Sequence, residues 1–176
     1  MCNIYVCITN PMRVNEDGCL VGEWVALPIS QNELQEALTK IGITDDNGTY
    51  FISESDTENL DIPIDQFTDF TELNELAARI DEVDEPDYFK LAALIEWEEP
   101  TCLATVHDII DKMDSYDFLS EIQDDTALGR YYCIDCDILH GTPENMKYFF
   151  NFEEFGWSLR CHHNVVYTSL GAIIRN

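Results

Sequence analysis

Residues 70–100, FTELNELAARIDEVDEPDYFKLAALIEWEEP, decide the fold class of this chain. Leu73, Leu76, Ala77 and Ile80 recur at helical spacing, with Glu72, Glu75, Asp81 and Glu82 elsewhere around the turn, so 70–83 reads as an amphipathic helix. Pro86 suits the first turn of a second helix, where its missing N–H is not needed. Phe89, Leu91, Ala92, Leu94, Ile95 and Trp97 give that helix a broad apolar face, and Pro100 stops it. Downstream, Leu103, Val106, Ile109 and Ile110 predict a third helix over Thr101–Met113. Tyr116–Ile122 is a short strand or a continuation, and Asp125–Ile134 is a fourth helix. The middle of the chain is thus expected to be a bundle of antiparallel helices with short connections.

Upstream the period changes. Asn3–Ile8 alternates apolar and polar residues and reads as a strand. Thr9–Gly18, with Pro11, Asn15, Asp17 and Gly18, reads as a loop. Cys19–Leu27 is a second strand stopped by Pro28, in which Gly22 marks a bulge or a close backbone approach. Ser30 and Glu33 form a capping-box pattern ahead of Leu34, Ala37, Leu38 and Ile41, and Gly42 closes that helix in a left-handed conformation. Thr49–Ser53 is a third strand, and Glu54–Asp69 an acidic connection containing Pro63. At the other end, Gly141–Pro143 is a turn and Glu144–Phe155 is helical in part. Arg160–Ile174 reads as a hairpin of Asn164–Thr168 and Ala172–Ile174, turning through Ser169–Gly171. The expected fold class is α+β in three small subdomains. These are an N-terminal three-stranded sheet with one helix (1–60), a central acidic helical bundle (61–102) and a C-terminal α+β part (103–176). The tail, uncharged overall and β-forming, is either a dimer contact or simply local core.

Of the 35 acidic residues among 176, 27 lie between Asp45 and Asp137 beside only Arg79, Lys90, Lys112 and Arg130. That stretch carries a formal −23 of the total −26, leaving −3 before it and 0 after it. A localised field of one sign implies a partner of the other sign, or a surface that imitates something negative. Direct nucleic-acid and anionic-membrane binding are excluded, because the nine basic residues are scattered. Halophilic adaptation would spread the charge over both flanks. No apolar run is long enough to span a bilayer and no signal-peptide pattern occurs, so the expected location is cytoplasmic. Seven irregularly spaced cysteines then read as free thiols.

The carboxylates fall at spacings that suit phosphate imitation. Side chains three and four apart on a helix lie about 5–6 Å from each other, and duplex DNA carries a charge about every 3.4 Å along each strand. Asp65, Asp69, Glu72 and Glu75 step by four and three; Asp108, Asp111 and Asp114 step by three, and Asp117 continues the series. Between them lie Asp81-Glu82-Asp84-Glu85-Asp87, Glu96-Glu98-Glu99 and Asp124-Asp125. Like charges so placed destabilise a helix by about 0.2–0.5 kcal/mol per pair, and ordinary surface helices alternate sign instead. The blander alternative is a solvated face that keeps the protein soluble.

Cys133 and Cys136, with His140, Cys161, His162 and His163, form the one metal-like set. CxxC is half of a common tetrahedral zinc arrangement, but no second CxxC or spaced His pair completes it. Free, mostly buried thiols are the preferred reading, with a zinc-stabilised acidic module for another basic DNA-binding protein as the alternative. His107, amid acidic residues, is a base or a surface residue. No phosphate loop, nucleophile elbow, H-E-x-x-H or EF-hand pattern occurs, so neither an enzyme nor a cofactor is expected.

Three places also carry a family likeness. They are Gly18-Cys-Leu-Val-Gly-Glu-Trp24 with the strand to Pro28, Tyr50-Phe-Ile-Ser followed by Phe67–Leu76, and Phe152-Glu-Glu-Phe-Gly-Trp-Ser-Leu159 ahead of the closing hairpin. In these the chain resembles the ArdA-type antirestriction proteins of plasmids and conjugative transposons. Trp157 and Ser158 depart from it, standing where that family usually carries charged residues. The resemblance implies an elongated homodimer of three-part subunits that imitates bent duplex DNA. It implies occupation of the DNA-binding groove of Type I restriction-modification enzymes, at the methyltransferase core, protection of incoming mobile DNA, and no catalysis.

Overall fold

The computed structural model describes residues 4–44, 48–147 and 149–176. Asn3, Cys2, Asp45 and Asp46 therefore lie outside the described residues. The chain is α+β, with seven α-helices and two three-stranded sheets among the described residues. It divides into two compact units, residues 1–88 with 99–108, and residues 89–98 with 109–176.

The first unit opens with strands β1 (Ile4–Val14), β2 (Leu20–Leu27) and β3 (Phe51–Asp56) in the antiparallel order β2-β1-β3. Their inner face is Ile4, Val6, Ile8, Val25, Leu27 and Ile52, all buried, as period-two alternation requires. Helix α1 (Gln31–Lys40) starts on the expected capping box, and packs against β2 through Ala37 and Leu38. Gly42 has φ +84°, and Ile43 N–H and Gly42 N–H donate to Leu38 and Thr39 carbonyls, a Schellman ending. Helix α2 (Phe70–Asp81) buries Leu73, Leu76, Ala77 and Ile80, as its period predicts. Asn74 fastens it to the end of β2, donating to Ile29 O (3.1 Å) and accepting from Ile29 N–H (2.7 Å).

Two expectations fail here. Thr9–Gly18 is not a loop throughout, because β1 runs on to Val14. Pro11 is tolerated where the pairing with β2 shifts register between Asn10 and Val14, beyond the end of β3 pairing at Thr9. Buried Asn10 anchors this extension, donating to Ile41 O and accepting from Met12 N–H. The third strand is Phe51–Asp56 rather than Thr49–Ser53, so Glu54 and Asp56 belong to the sheet. Gly22 is a close approach and not a bulge: a Cβ there would lie 2.7 Å from both Cys7 Sγ and Thr9 Oγ1.

Helix α3 (Glu85–Glu98) buries Leu91 to Ile95 without a break, while Phe89 stays half-exposed. Helix α4 (Leu103–Lys112) buries Leu103, Val106 and Ile109, and a 3-10 turn at Met113–Ser115 ends it. The open alternative at Tyr116 resolves to strand β4 (Tyr116–Ser120). In the second unit β4, β5 (Val165–Tyr167) and β6 (Gly171–Arg175) pair antiparallel in the order β4-β6-β5. Their core is Leu128, Val165, Ala172 and Ile174. Asp125–Ile134 is only partly α-helical: α5 covers Asp125–Arg130, and Tyr131–Asp135 widens into a π turn that Cys136 N–H closes on Tyr131 O. A four-residue helix α6 (Glu144–Lys147) precedes α7 (Phe152–His163). Arg160–His163 are therefore helical, and the closing hairpin begins after Asn164, the left-handed C-cap at φ 50°.

Helices α5 and α7 cross backbone to backbone at two glycines. A Cβ on Gly129 would strike the Phe152 carbonyl, and one on Gly156 would strike the Asp125 carbonyl. Gly129→Ala or Gly156→Ala is expected to destabilise the protein by about 3 kcal/mol or more, at the upper end for overpacking, because backbone cannot rotate away. Gly141→Ala, at an open site with φ +78°, meets only backbone strain and is expected to cost about 1 kcal/mol. Urea unfolding midpoints of the three variants check this ordering.

Candidate functional site

The two units share the charge unequally. The first holds 22 acidic and 3 basic residues, a formal −19; the second holds 13 and 6, a formal −7. In the first unit Asp65, Asp69, Glu72, Glu75, Asp81, Glu82, Asp84, Glu85, Asp87, Glu99 and Asp108 are all exposed. In the second, Glu96, Glu98, Asp111, Asp114, Asp117 and Asp124 are exposed and Asp125 is half-buried.

Local structure fixes several of these carboxylates. Asp65 Oδ1 accepts from Phe67 N–H (2.8 Å), and Asp69 caps α2 by accepting from Glu72 N–H (2.9 Å). The Asp65-Asp69-Glu72-Glu75 series thus runs from loop to cap to helix. Asp108 and Asp111 stay on α4, but Asp114 lies in the 3-10 turn and Asp117 on β4, so that series does not continue as one helical row. Glu96 accepts from Ser169 N–H (2.7 Å) and Oγ–H (2.6 Å). Asp124 caps α5 by accepting from Ala127 N–H (2.7 Å). Its neighbour Asp125 turns inward, accepting from Arg160 Nε (2.7 Å), Arg160 Nη2 (3.2 Å) and Tyr167 Oη (2.8 Å). Arg160 holds the Asp125 carboxyl below its ordinary range against the opposing effect of burial, with Tyr167 adding to the lowering. Burial and then Asp125 push the Tyr167 phenol up.

Acidic residues also stand where backbone chemistry disfavours them. Glu58, Glu99 and Glu121 have φ of 52°, 46° and 67°. Left-handed backbone suits glycine, and Asp tolerates it better than Glu does. The last turn of α3 carries Glu96 and Glu98 with no basic residue, against the helix dipole, a term worth about 0.3–1 kcal/mol per charge. Conversely, Glu85 and Asp87 favour the α3 N-terminus.

His107 Nδ1 lies 2.8 Å from Arg79 Nη1. Since guanidinium only donates, that nitrogen accepts, which ties the ring down rather than freeing it as a base. Cys133 is buried in the π turn while Cys136 and Cys161 are exposed; His140 bonds Asp137 (2.9 Å) and His162 bonds Ser158 O (2.6 Å). No group of three or more His, Cys, Asp or Glu among the described residues is arranged to hold a metal. Sequence reading missed exposed Glu54 and Asp56: strict period two puts both on the face of buried Ile52, and only the register shift at Ser53 turns them outward, which leaves no local signal. It also missed Arg160, whose partner lies 35 residues away and leaves no local signature.

The geometry is that of an acidic α+β protein with its densest charge on one compact unit. The family model described as antirestriction protein (ArdA) matches residues 6–173, and the chain belongs to that family. Antirestriction, exerted on restriction enzymes, is the function of the family, which is not known as an enzyme family. A search of curated proteins finds no match. No helix among the described residues is long and apolar enough to cross a membrane.

A carboxyl held low contributes stability that is present above its unfolded value of about 3.9 and fades as pH falls through the lower folded value. Asp125→Asn is therefore expected to cost about 1–3 kcal/mol at neutral pH and to flatten the acid limb of the stability–pH curve, read by urea melts from pH 2 to 7. Glu99→Gly and Glu121→Gly are expected to raise stability by about 1 kcal/mol each, by relieving left-handed strain. A lower melting temperature in either variant would refute that reading.

Proposed function

We propose that the exposed carboxylates stand in for DNA phosphates and that the protein occupies the DNA-binding groove of a Type I restriction-modification enzyme, at its methyltransferase core. The observation that carries this is the formal −19 of the first unit, in which Glu72, Glu75 and Asp81 stand exposed on a helix that buries Leu73, Leu76, Ala77 and Ile80. Family membership supports a restriction enzyme as the target. The glutamates in left-handed backbone support the reading, since a charge needed only for solubility could sit where it strains nothing. Asp125 is engaged internally, so in this reading it positions α5 and α7 while its neighbours meet the partner. Occupancy rather than catalysis protects incoming mobile DNA, within the cytoplasm and without direct nucleic-acid binding. A homodimer forms through the weakly charged second unit, where Phe149, Trp157 and Met146 are exposed at 84%, 54% and 56%.

A Type I methyltransferase core bound to labelled cognate duplex, titrated with this protein, tests the proposal. Near-stoichiometric displacement that weakens as salt rises is the expected result. Changing Asp81, Glu82, Asp84, Glu85 and Asp87 singly to their amides should weaken displacement by about two- to fivefold each, as for exposed charge pairs. Loss of all activity at one position, or no displacement at low salt, would refute the reading for that enzyme.

A further inference from the structure

The register of the N-terminal sheet puts two exposed aromatic rings and two exposed carboxylates in order on its outer face, beside buried Cys7 and Thr9. Trp24 is opposite Cys7, which is opposite Glu54; two residues along, Ala26 is opposite Tyr5, which is opposite Asp56. Trp24 and Tyr5 are 48% and 37% exposed, and Ala26, Glu54 and Asp56 are exposed too. The charged side chains that the register places on this face are thus both acidic. Gly22, opposite Thr9, keeps the floor low, since a Cβ would run into Cys7 and Thr9. Thr9 in turn is fixed by Ser53 (Oγ1 to Oγ, 2.7 Å), the extra residue where β3 shifts register against β1.

Neighbouring strands lie about 4.8 Å apart, so Trp24 and Glu54 stand roughly 10 Å apart across the small Cys7 side chain. A guanidinium fits that interval: it stacks on an indole face and pairs with a carboxylate through its planar fork, where an ammonium does neither as well. Tyr5 and Asp56, on adjacent strands about 4.8 Å apart, form a closer ring–carboxylate pair with no residue between them, two residues on and about 7 Å along the strand. That is the period of alternate side chains in an extended segment.

We propose that this face is a docking surface for an extended, arginine-bearing segment of a protein partner, with Trp24/Glu54 and Tyr5/Asp56 each receiving one guanidinium. It goes beyond phosphate imitation, because it selects planarity as well as charge, and it stands whether or not the carboxylates elsewhere replace DNA.

The test is a titration of the full-length protein with a peptide of alternating Arg and Thr, and separately with its Lys/Thr counterpart. It is run at about 0.3 M NaCl, where the Debye length of roughly 6 Å suppresses diffuse attraction. The readout is the indole N–H resonances of the three tryptophans. The expected result is a saturable shift of the Trp24 resonance with the Arg peptide, a much weaker one with the Lys peptide, and unmoved Trp97 and Trp157. Trp24→Ala should weaken Arg-peptide binding by about tenfold. Glu54→Gln, an exposed position that leaves the core intact, should weaken it several-fold and lose most of the Arg-over-Lys preference. Equal responses to the two peptides, an unmoved Trp24, or variants that bind as tightly as the parent would overturn the proposal. So would concentration-dependent Trp24 shifts without peptide, which would put a second copy on this face. Displacement of DNA from a methyltransferase core is scored separately, so failure there alongside Trp24 binding would refute phosphate imitation alone.

Discussion

Repulsion among 35 carboxylates, with nine cationic side chains to offset them, is the constraint under which the rest of the structure is built. A chain so charged cannot rely on surface ion pairs, which contribute about 0–1 kcal/mol each even where partners abound. One cation placement serves the fold instead. Arg160 grips Asp125 with two nitrogens at the place where α5 and α7 meet through Gly129 and Gly156. Neutral side chains make further long-range ties: Asn10 to the end of α1, Asn74 to the end of β2, and Thr9 to Ser53 across the sheet. These bonds are indifferent to the field around them. The apolar contribution comes from buried runs such as Leu91–Ile95, which lie beneath the charge rather than compete with it for surface.

That division of labour explains which parts of the fold were legible in the sequence. Helix α2 was readable because its apolar and acidic residues differ sharply in period, and the Ser30/Glu33 box because capping is a local matter. The limits of β1 and β3 were not, because both depend on pairing. Pro11 looks like a loop residue until β3 is seen to end its pairing at Thr9, and Glu54 and Asp56 look like linker until Tyr5 and Cys7 are opposite them. Helix α7 hid behind Gly156, which local propensity counts against a helix and which the crossing requires. The π turn after Arg130 left no signal in propensity at all.

The candidate surface was legible to a similar depth. Charge location and helical spacing are sequence properties, and they put most of the candidate carboxylates at exposed positions. What each carboxylate does is a tertiary property. Asp124 and Asp125 are adjacent and chemically alike, yet one caps a helix in solvent and the other is drawn inward by Arg160 and Tyr167. Spacing by three in Asp108, Asp111, Asp114 and Asp117 likewise suggested a single row, which the 3-10 turn and β4 interrupt.

Salt separates the two consequences of this charge. Added ions screen repulsion within the chain, so they should relieve the acidic helices and the opposed dipole at the end of α3. The same ions screen attraction to a basic groove, so the binding proposed for the carboxylates should weaken over the range in which the fold gains stability. Loss of binding at high salt can therefore not be ascribed to unfolding. The converse bears on the sheet face. Stacking on Trp24 and a close guanidinium–carboxylate pair are short-range contacts and are screened less than the diffuse field. A partner engaging both surfaces would then keep its hold through the aromatic face as the carboxylate attraction fades. A biphasic dependence of affinity on salt would be the mark of two recognition surfaces on one small acidic protein.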